Sequence, residues 1–267
     1  MRYKIHYSCS SHVGKCRSMN QDNFICDGKY MDDNNEPLTF PLTGTLTGDH
    51  PSLIGVFDGM GGEECGEVAS YIAAKCASET SIGEKPLDDL LAFCKNANEK
   101  ICDYATENDV LAMGTTAALL VFNKTEIALC NIGDSKILRF ADRKLEQIST
   151  DHYAVAAHGL KPPLSQNLGI PASEMVIEPH VARGQYNDGD LYLICSDGLT
   201  DMVAVEVISK ILLETQFDKC VKKLQQTALE NGGKDNVTII LCKVEREKRS
   251  LFGRIFRSKS NGNGGAD

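Results

Sequence analysis

No apolar run in this chain approaches the ~20 residues that a membrane-spanning helix needs. The N-terminus, MRYKIHYSCSS, lacks the long apolar stretch and small-residue cleavage site of a signal peptide. These absences give the expectation of a cytoplasmic protein with no transmembrane segment. CxxC pairs are missing, and the eleven cysteines are odd in number, most sitting singly in apolar stretches such as those around Cys76, Cys94, Cys130, Cys195 and Cys242. That pattern disfavours a disulfide framework and points to reduced, buried thiols acting as small hydrophobes. The six histidines show no ligand spacing with the cysteines, which argues against zinc. No internal repeat is present.

What the chain does contain is ordinary in bulk. Its 267 residues are 42% hydrophobic and 24% charged, enough for one large domain with a sizeable core. The net charge of −9 is unevenly spread: Arg246 to Asp267 hold six basic and two acidic residues, +4, so the other 245 carry −13. An acidic body argues against nucleic acid as the main ligand and is consistent with a cation site. The basic stretch 251–267 reads as a flexible tail, with docking on a partner or an anionic membrane surface as its alternative.

Period-two and short apolar runs predict strands over 3–10, 22–27, 52–57, 115–122, 126–132, 136–140, 191–196 and 236–244. Helical spacing marks 63–80 and 87–106, the second opened by Pro86, and a helical pair over 207–216 and 218–231. Short connections among the three strands from 115 to 140 favour antiparallel hairpins. Residues 28–52 read as a hairpin or surface excursion. The segment 151–189, with four prolines and little periodicity, reads as a functional lid. Two sheets packed face to face, with helices outside, would bury these apolar faces.

Five acidic motifs punctuate this pattern: MNQD (19–22), VFDGMGG (56–62), NIGDSK (131–136), CSDGLTD (195–201) and GGKDNV (232–237). Any one is explained by turn chemistry or helix capping. Together they place Asp22, Asp58, Asp134, Asp197 and Asp235 at strand ends, a regularity that turns do not need. Carboxylates brought together cannot all stay ionised without cations. All the candidate ligands are hard oxygen donors, selecting Mg²⁺, Mn²⁺ or Ca²⁺. Two such ions ~4 Å apart can lower the pKa of a shared water and aim it at an electrophile, phosphorus being the natural target. Arg17, five residues before Asp22, could clamp phosphate oxygens bidentately, a solvated surface arginine being the bland alternative. Thr150-Asp151-His152 reads as capping or structural hydrogen bonding.

In this order the motifs resemble those of the metal-dependent protein phosphatases of the 2C type, especially their bacterial members. The matches are Gly14-x-x-Arg17-x-x-Asn20-Gln21-Asp22, VFDGMGG, Gly114-Thr115-Thr116, NIGDSKILRF, Thr150-Asp151-His152, CSDGLTD and GGKDNVTIIL, spanning 14–241. The resemblance implies an α+β fold, a four-layer αββα sandwich over residues 1–244 with a flap subdomain at 153–180 and a tail at 245–267. It implies hydrolysis of phosphoserine and phosphothreonine in proteins by a metal-bridging hydroxide. It also implies two core Mn²⁺ or Mg²⁺ ions, a third bound more weakly, and a cognate kinase. A monomer is favoured.

Carried over by position, Asp58 bridges two ions, Asp197 and Asp235 bind the first and the Gly59 carbonyl the second. Asp22 holds metal-bound waters, Asp134 with Asp197 serves a third ion, and Arg17 binds the substrate phosphate. Two departures stand out. Gln21 replaces a frequent glutamate, lowering expected metal affinity, and Met60 replaces a histidine proposed as general acid in animal members. Competing readings are a catalytically inactive phosphatase-shaped regulatory module and a hydrolase of small phosphate esters.

Overall fold

The C-terminal strand shows why this chain folds in layers. In β12 (Val237–Arg246), Val237, Ile239 and Leu241 enter one hydrophobic cluster, while Ile240, Cys242 and Val244 enter another. Alternate side chains leave a strand on opposite faces, so a strand apolar at every position must be covered on both. A computed structural model provides the fold, described for residues 2–32, 36–47, 50–60, 65–155 and 162–247.

One sheet runs in the order β3 (Leu42–Thr47), β1 (Tyr3–His12), β12, β11 (Leu191–Cys195), β8 (Lys136–Ala141), β9 (Lys144–Gln147). The other runs β10 (His180–Gln185), β7 (Glu126–Ile132), β6 (Ala117–Asn123), β4 (Ser52–Met60), β2 (Asp22–Cys26), with the short β5 (Gly114–Thr115) on the end of β4. All pairings are antiparallel. Between the sheets lie Tyr7, Phe24, Phe122, Tyr192 and Ile240. The Phe122 and Tyr192 rings meet edge-on at 5.4 Å. Each such side chain contributes about 1.5–3 kcal/mol by leaving water.

Helices α1 (Gly66–Glu79) and α2 (Pro86–Glu107) cover the second sheet through Ala73, Leu90 and Phe93 against Phe57 and Leu119. Helices α4 (Val205–Glu214) and α5 (Phe217–Glu230), with the single turn α3 (Asp197–Thr200), cover the first through Ile208, Leu224 and Leu199. The result is the four-layer αββα sandwich. No described helix is long and apolar enough to cross a membrane. All eleven cysteines are free thiols and eight are buried; burial pushes the Cys195 thiol up to about 12.

Four elements escaped the sequence reading: β3, β9, β10 and α3. Strand β10 lies inside the segment expected to be irregular lid, and it pairs β7 along its whole length. Its side chains are partly exposed, so the apolar period is weak at this edge. The expected run of hairpins from 115 to 140 needs correction. β6 and β7 do form one, but β7 and β8 belong to different sheets, so Asp134 stands at a corner between the layers. The second hairpin is β8–β9, turned by Asp142 and Arg143, both at positive φ (50° and 64°), the backbone of a two-residue type I′ turn. Gly61 and Gly62 of the VFDGMGG motif, part of the flap and the basic tail lie outside the described residues.

Candidate metal centre

Antiparallel topology brings the acidic motifs to one end of the sandwich. Strand β2 begins at Asp22 and β4 runs out past Asp58. β11 leads into Ser196-Asp197, and β12 begins two residues after Asp235. Asp22 and Asp58 are register partners, so their side chains leave the same face of the sheet as direct cross-strand neighbours. Like charges placed so are destabilising unless something neutralises them.

The two sheets are joined at this end by a buried polar chain. Ser196 donates its hydroxyl to Asp22 Oδ2 at 2.7 Å and accepts the Thr238 amide at 3.0 Å. The hydroxyls of Thr238 and Ser11 lie 2.8 Å apart, and Asn20 Nδ2 donates to Ser11 Oγ at 2.9 Å. Asp22 Oδ1, by contrast, is buried with no hydrogen-bond partner among the described residues. Burial, opposed by the hydroxyls of Ser196 and Thr238 and assisted by Asp197 and Asp235, pushes the Asp22 carboxyl up to about 7. Asp58 is driven well above the usual carboxylate range by burial first, then by Asp22, Asp197, Asp134 and Asp235. That action of four other motifs on one carboxylate is the electrostatic signature of convergence.

Asp58 is held through its backbone. Its N–H donates to Thr116 Oγ1 at 3.0 Å, and its carbonyl accepts the Thr116 amide at 2.9 Å and the Thr115 hydroxyl at 3.0 Å. Gly59 is buried and required by packing. A Cβ there would lie 2.1 Å from the Gly66 carbonyl and 2.4 Å from that of Gln21. Asp22 and Asp134 are buried, whereas Asp58, Asp197 and Asp235 are partly open to the cleft. Asp134 Oδ2 accepts the Tyr153 hydroxyl at 3.2 Å, which ties the start of the flap to the site.

Arg17 donates from a terminal guanidinium nitrogen to Asp235 Oδ2 at 2.7 Å, and this bond holds its pKa above the usual arginine value. Gln21 points its amide at Glu67 Oε2, 3.4 Å away on the first turn of α1. A carboxylate thus stands beside the position where the glutamate is missing. Thr150-Asp151-His152 is structural. Asp151 pairs with Lys136, the Thr150 carbonyl accepts from Asn131, and the His152 amide bonds the Gly133 carbonyl.

Sequence reading missed Asn236, which it took for half of a turn. Its Oδ1 accepts the Gln21 amide at 2.8 Å, and its Nδ2 donates to the carbonyls of Val13 and Met19, both at 2.9 Å. One side chain thereby fixes the loop that carries Arg17 and leads into Asp22. Gly14, at φ +84° with no room for a Cβ beside the Asp235 carbonyl, closes the same contact. Asn236→Ala is expected to lower Tm by roughly 6–12 °C. Three hydrogen bonds contribute ~1 kcal/mol each, and a chain of this size shifts roughly 2–4 °C per kcal/mol. A thermal melt checks this, and an unchanged Tm would show that the loop holds itself.

The residues present fit oxygen-ligated divalent cations. A buried, unpartnered carboxylate oxygen and a group of carboxylates facing a single arginine are otherwise costly. No three His, Cys, Asp or Glu among the described residues close into a cage able to hold an ion alone. The arrangement instead suits ions that keep water and substrate oxygens among their ligands.

Known proteins resemble this chain in sequence and in fold. The family model of protein phosphatase 2C matches residues 43–241. The serine/threonine protein phosphatase PstP of Mycobacterium tuberculosis is 32% identical over 207 residues, covering 72% of this chain but only 40% of PstP. The serine/threonine phosphatase stp of Listeria monocytogenes is 28% identical over 270 residues, covering 91% of this chain and 96% of stp. Among solved structures, the catalytic domain of PstP with two manganese ions superposes with a TM-score of 0.75 at 26% identity, covering 91% of this chain and all of that one. A bacterial serine phosphatase superposes with 0.74 at 26% identity, covering 91% and 98%.

Proposed function

This chain belongs to the protein phosphatase 2C family, and from that premise we propose that it is a metal-dependent phosphatase of phosphoserine and phosphothreonine in proteins. The observation that carries the reading is the convergence of five aspartates from both sheets at one end of the sandwich, with Arg17 at its edge. Asp58, with the Gly59 carbonyl, would hold a pair of Mn²⁺ or Mg²⁺ ions. Asp197 and Asp235 would complete the first, Asp22 would act through its waters, and Asp134 would serve a third ion. Such ions, when bound, supply Lewis acidity and a water of lowered pKa.

The chain's own residues do the rest. Arg17 is half exposed and tethered by one ion pair to Asp235. Once Asp235 is engaged elsewhere, the guanidinium is free to take two phosphate oxygens in its planar fork and orient the ester. Thr115 and Thr116 fix the Asp58 backbone, so the carboxylate does not have to reorganise as charge develops. Met60 can donate no proton, so protonation of the leaving hydroxyl falls to water in the cleft.

The same reading places the catalytic domain at 1–244, a flap at 153–180 and a tail at 245–267, in a monomeric cytoplasmic protein opposing a serine/threonine kinase in bacterial signalling. The matched relatives named serine/threonine phosphatases support the substrate class. No candidate ligand is lost, so nothing favours an inactive binding module. With Mn²⁺ or Mg²⁺, a phosphothreonine peptide is expected to be cleaved at least tenfold faster than its phosphotyrosine counterpart, and EDTA to stop both. EDTA-resistant turnover, or a preference for nucleotides or sugar phosphates over the peptide, would overturn the assignment.

A further inference from the structure

Beside the carboxylates, on the α2 side of the sandwich, lies a cavity of about 460 Å³, a volume within the range of small-ligand sites. Its walls are mostly apolar, formed by Met60, Ala105, Val110, Met113, Ile170 and Pro171, with Glu174 the one carboxylate among the described lining residues. Leu111 stands fully exposed at its edge. No residue proposed to hold metal lines it.

The cavity adjoins the reaction site through Met60 and Gly114. Met60 pairs with Gly114 in the register step next to Gly59 and Thr115, and Thr115 holds the Asp58 carbonyl. Met60 follows Asp58 by two residues, ~6.6 Å along a strand, which is also the separation of side chains i and i+2 in an extended peptide. The far wall is preformed. The amides of Gly169 and Ile170 both donate to Asn98 Oδ1, at 2.8 and 3.1 Å, and Asn98 Nδ2 donates back to the Ile170 carbonyl at 2.9 Å. Leu168 bonds Thr115 in both directions, so wall and catalytic strand are one unit.

We propose that this cavity takes a large apolar side chain of the substrate peptide, two positions from the phosphorylated residue, and so sets sequence preference. The inference rests on the phosphatase reading and deepens it. An apolar side chain gains by leaving water there, whereas an acidic one would lose hydration beside an already acidic site and meet the Glu174 carboxylate among mostly apolar walls.

The test uses phosphothreonine peptides carrying Leu, Gly or Glu two residues before or two residues after the phosphothreonine, with p-nitrophenyl phosphate as a substrate too small to reach the cavity. At one of the two positions Leu should exceed Glu in kcat/KM by roughly tenfold, mainly through KM, the scale of discrimination by an apolar pocket. Ala112→Phe, at an exposed lining position, should fill the cavity and remove that preference while leaving the p-nitrophenyl phosphate rate unchanged. Thr106→Trp, exposed on α2, is the second variant should the first not fold. Equal kcat/KM for all peptides, or a preference that survives both fillings, overturns the proposal while leaving the phosphatase reading intact. Hydrolysis of neither peptide nor p-nitrophenyl phosphate with Mn²⁺ overturns both.

Discussion

Asp58→Asn is expected to lower kcat/KM for a phosphothreonine peptide on the order of 10³-fold or more, and Asp235→Asn to do comparable damage. Lewis-acid stabilisation is worth several kcal/mol, and each 1.36 kcal/mol is tenfold in rate. Loss of activity by unfolding is separable from loss of ligation. Asp58 is a strained group in the metal-free protein, raised by burial and by four other carboxylates. An uncharged amide of the same shape removes that repulsion, so the variant's Tm in EDTA should equal or exceed that of the parent. Manganese should then raise the parent's Tm more than the variant's, because only a ligand that binds the native state stabilises it. Asp235→Asn has a second consequence, since it removes the partner of Arg17. Retained manganese-stimulated turnover in both variants would sink the assignment of the site.

The second large effect is a pH dependence that metal reverses. In EDTA, Tm is expected to fall as pH rises from about 4 to about 7, by several degrees, since ~1 kcal/mol moves a chain of this size roughly 2–4 °C. An unfolded aspartate titrates near 3.8, whereas the folded Asp22 carboxyl is raised to about 7 and Asp58 is raised as well. Between those values the native state binds more protons than the unfolded one, so stability declines with pH. The contribution is complete below 3.8 and lost as pH passes through about 7. Carboxylates elsewhere in the fold contribute alike to melts with and without metal. The difference between EDTA and Mn²⁺ melting curves isolates the site from them. That difference should widen with pH, and a difference independent of pH would show that the carboxylates do not repel one another.

Most of the layers were legible because apolar period is local. Runs such as AALLVF and VTIILC are apolar on both faces, which only a covered strand tolerates, and the α2 and α5 stripes follow helical spacing. Edge elements were illegible for the same reason. β3, β9 and β10 expose much of their surface and carry little apolar signal. The crossover between β7 and β8 was also hidden. A three-residue connector reads as a hairpin unless it is known that its strands belong to opposite sheets.

Sequence alone determined the chemistry: the five aspartates, their hard-oxygen character and the family-ordered motifs are all in the covalent chain. Tertiary structure decided which groups act on which. Asp22 faces Asp58 because β2 and β4 are in register, and Ser196 reaches Asp22 because two sheets stack. Asn236 closes on a loop more than two hundred residues earlier in the chain, and a cavity opens between α2 and residues 167–174. Ligand type follows from side-chain composition, which is local. Charge coupling, loop clamping and cavity shape depend on distances across the fold, and no spacing along the chain encodes those.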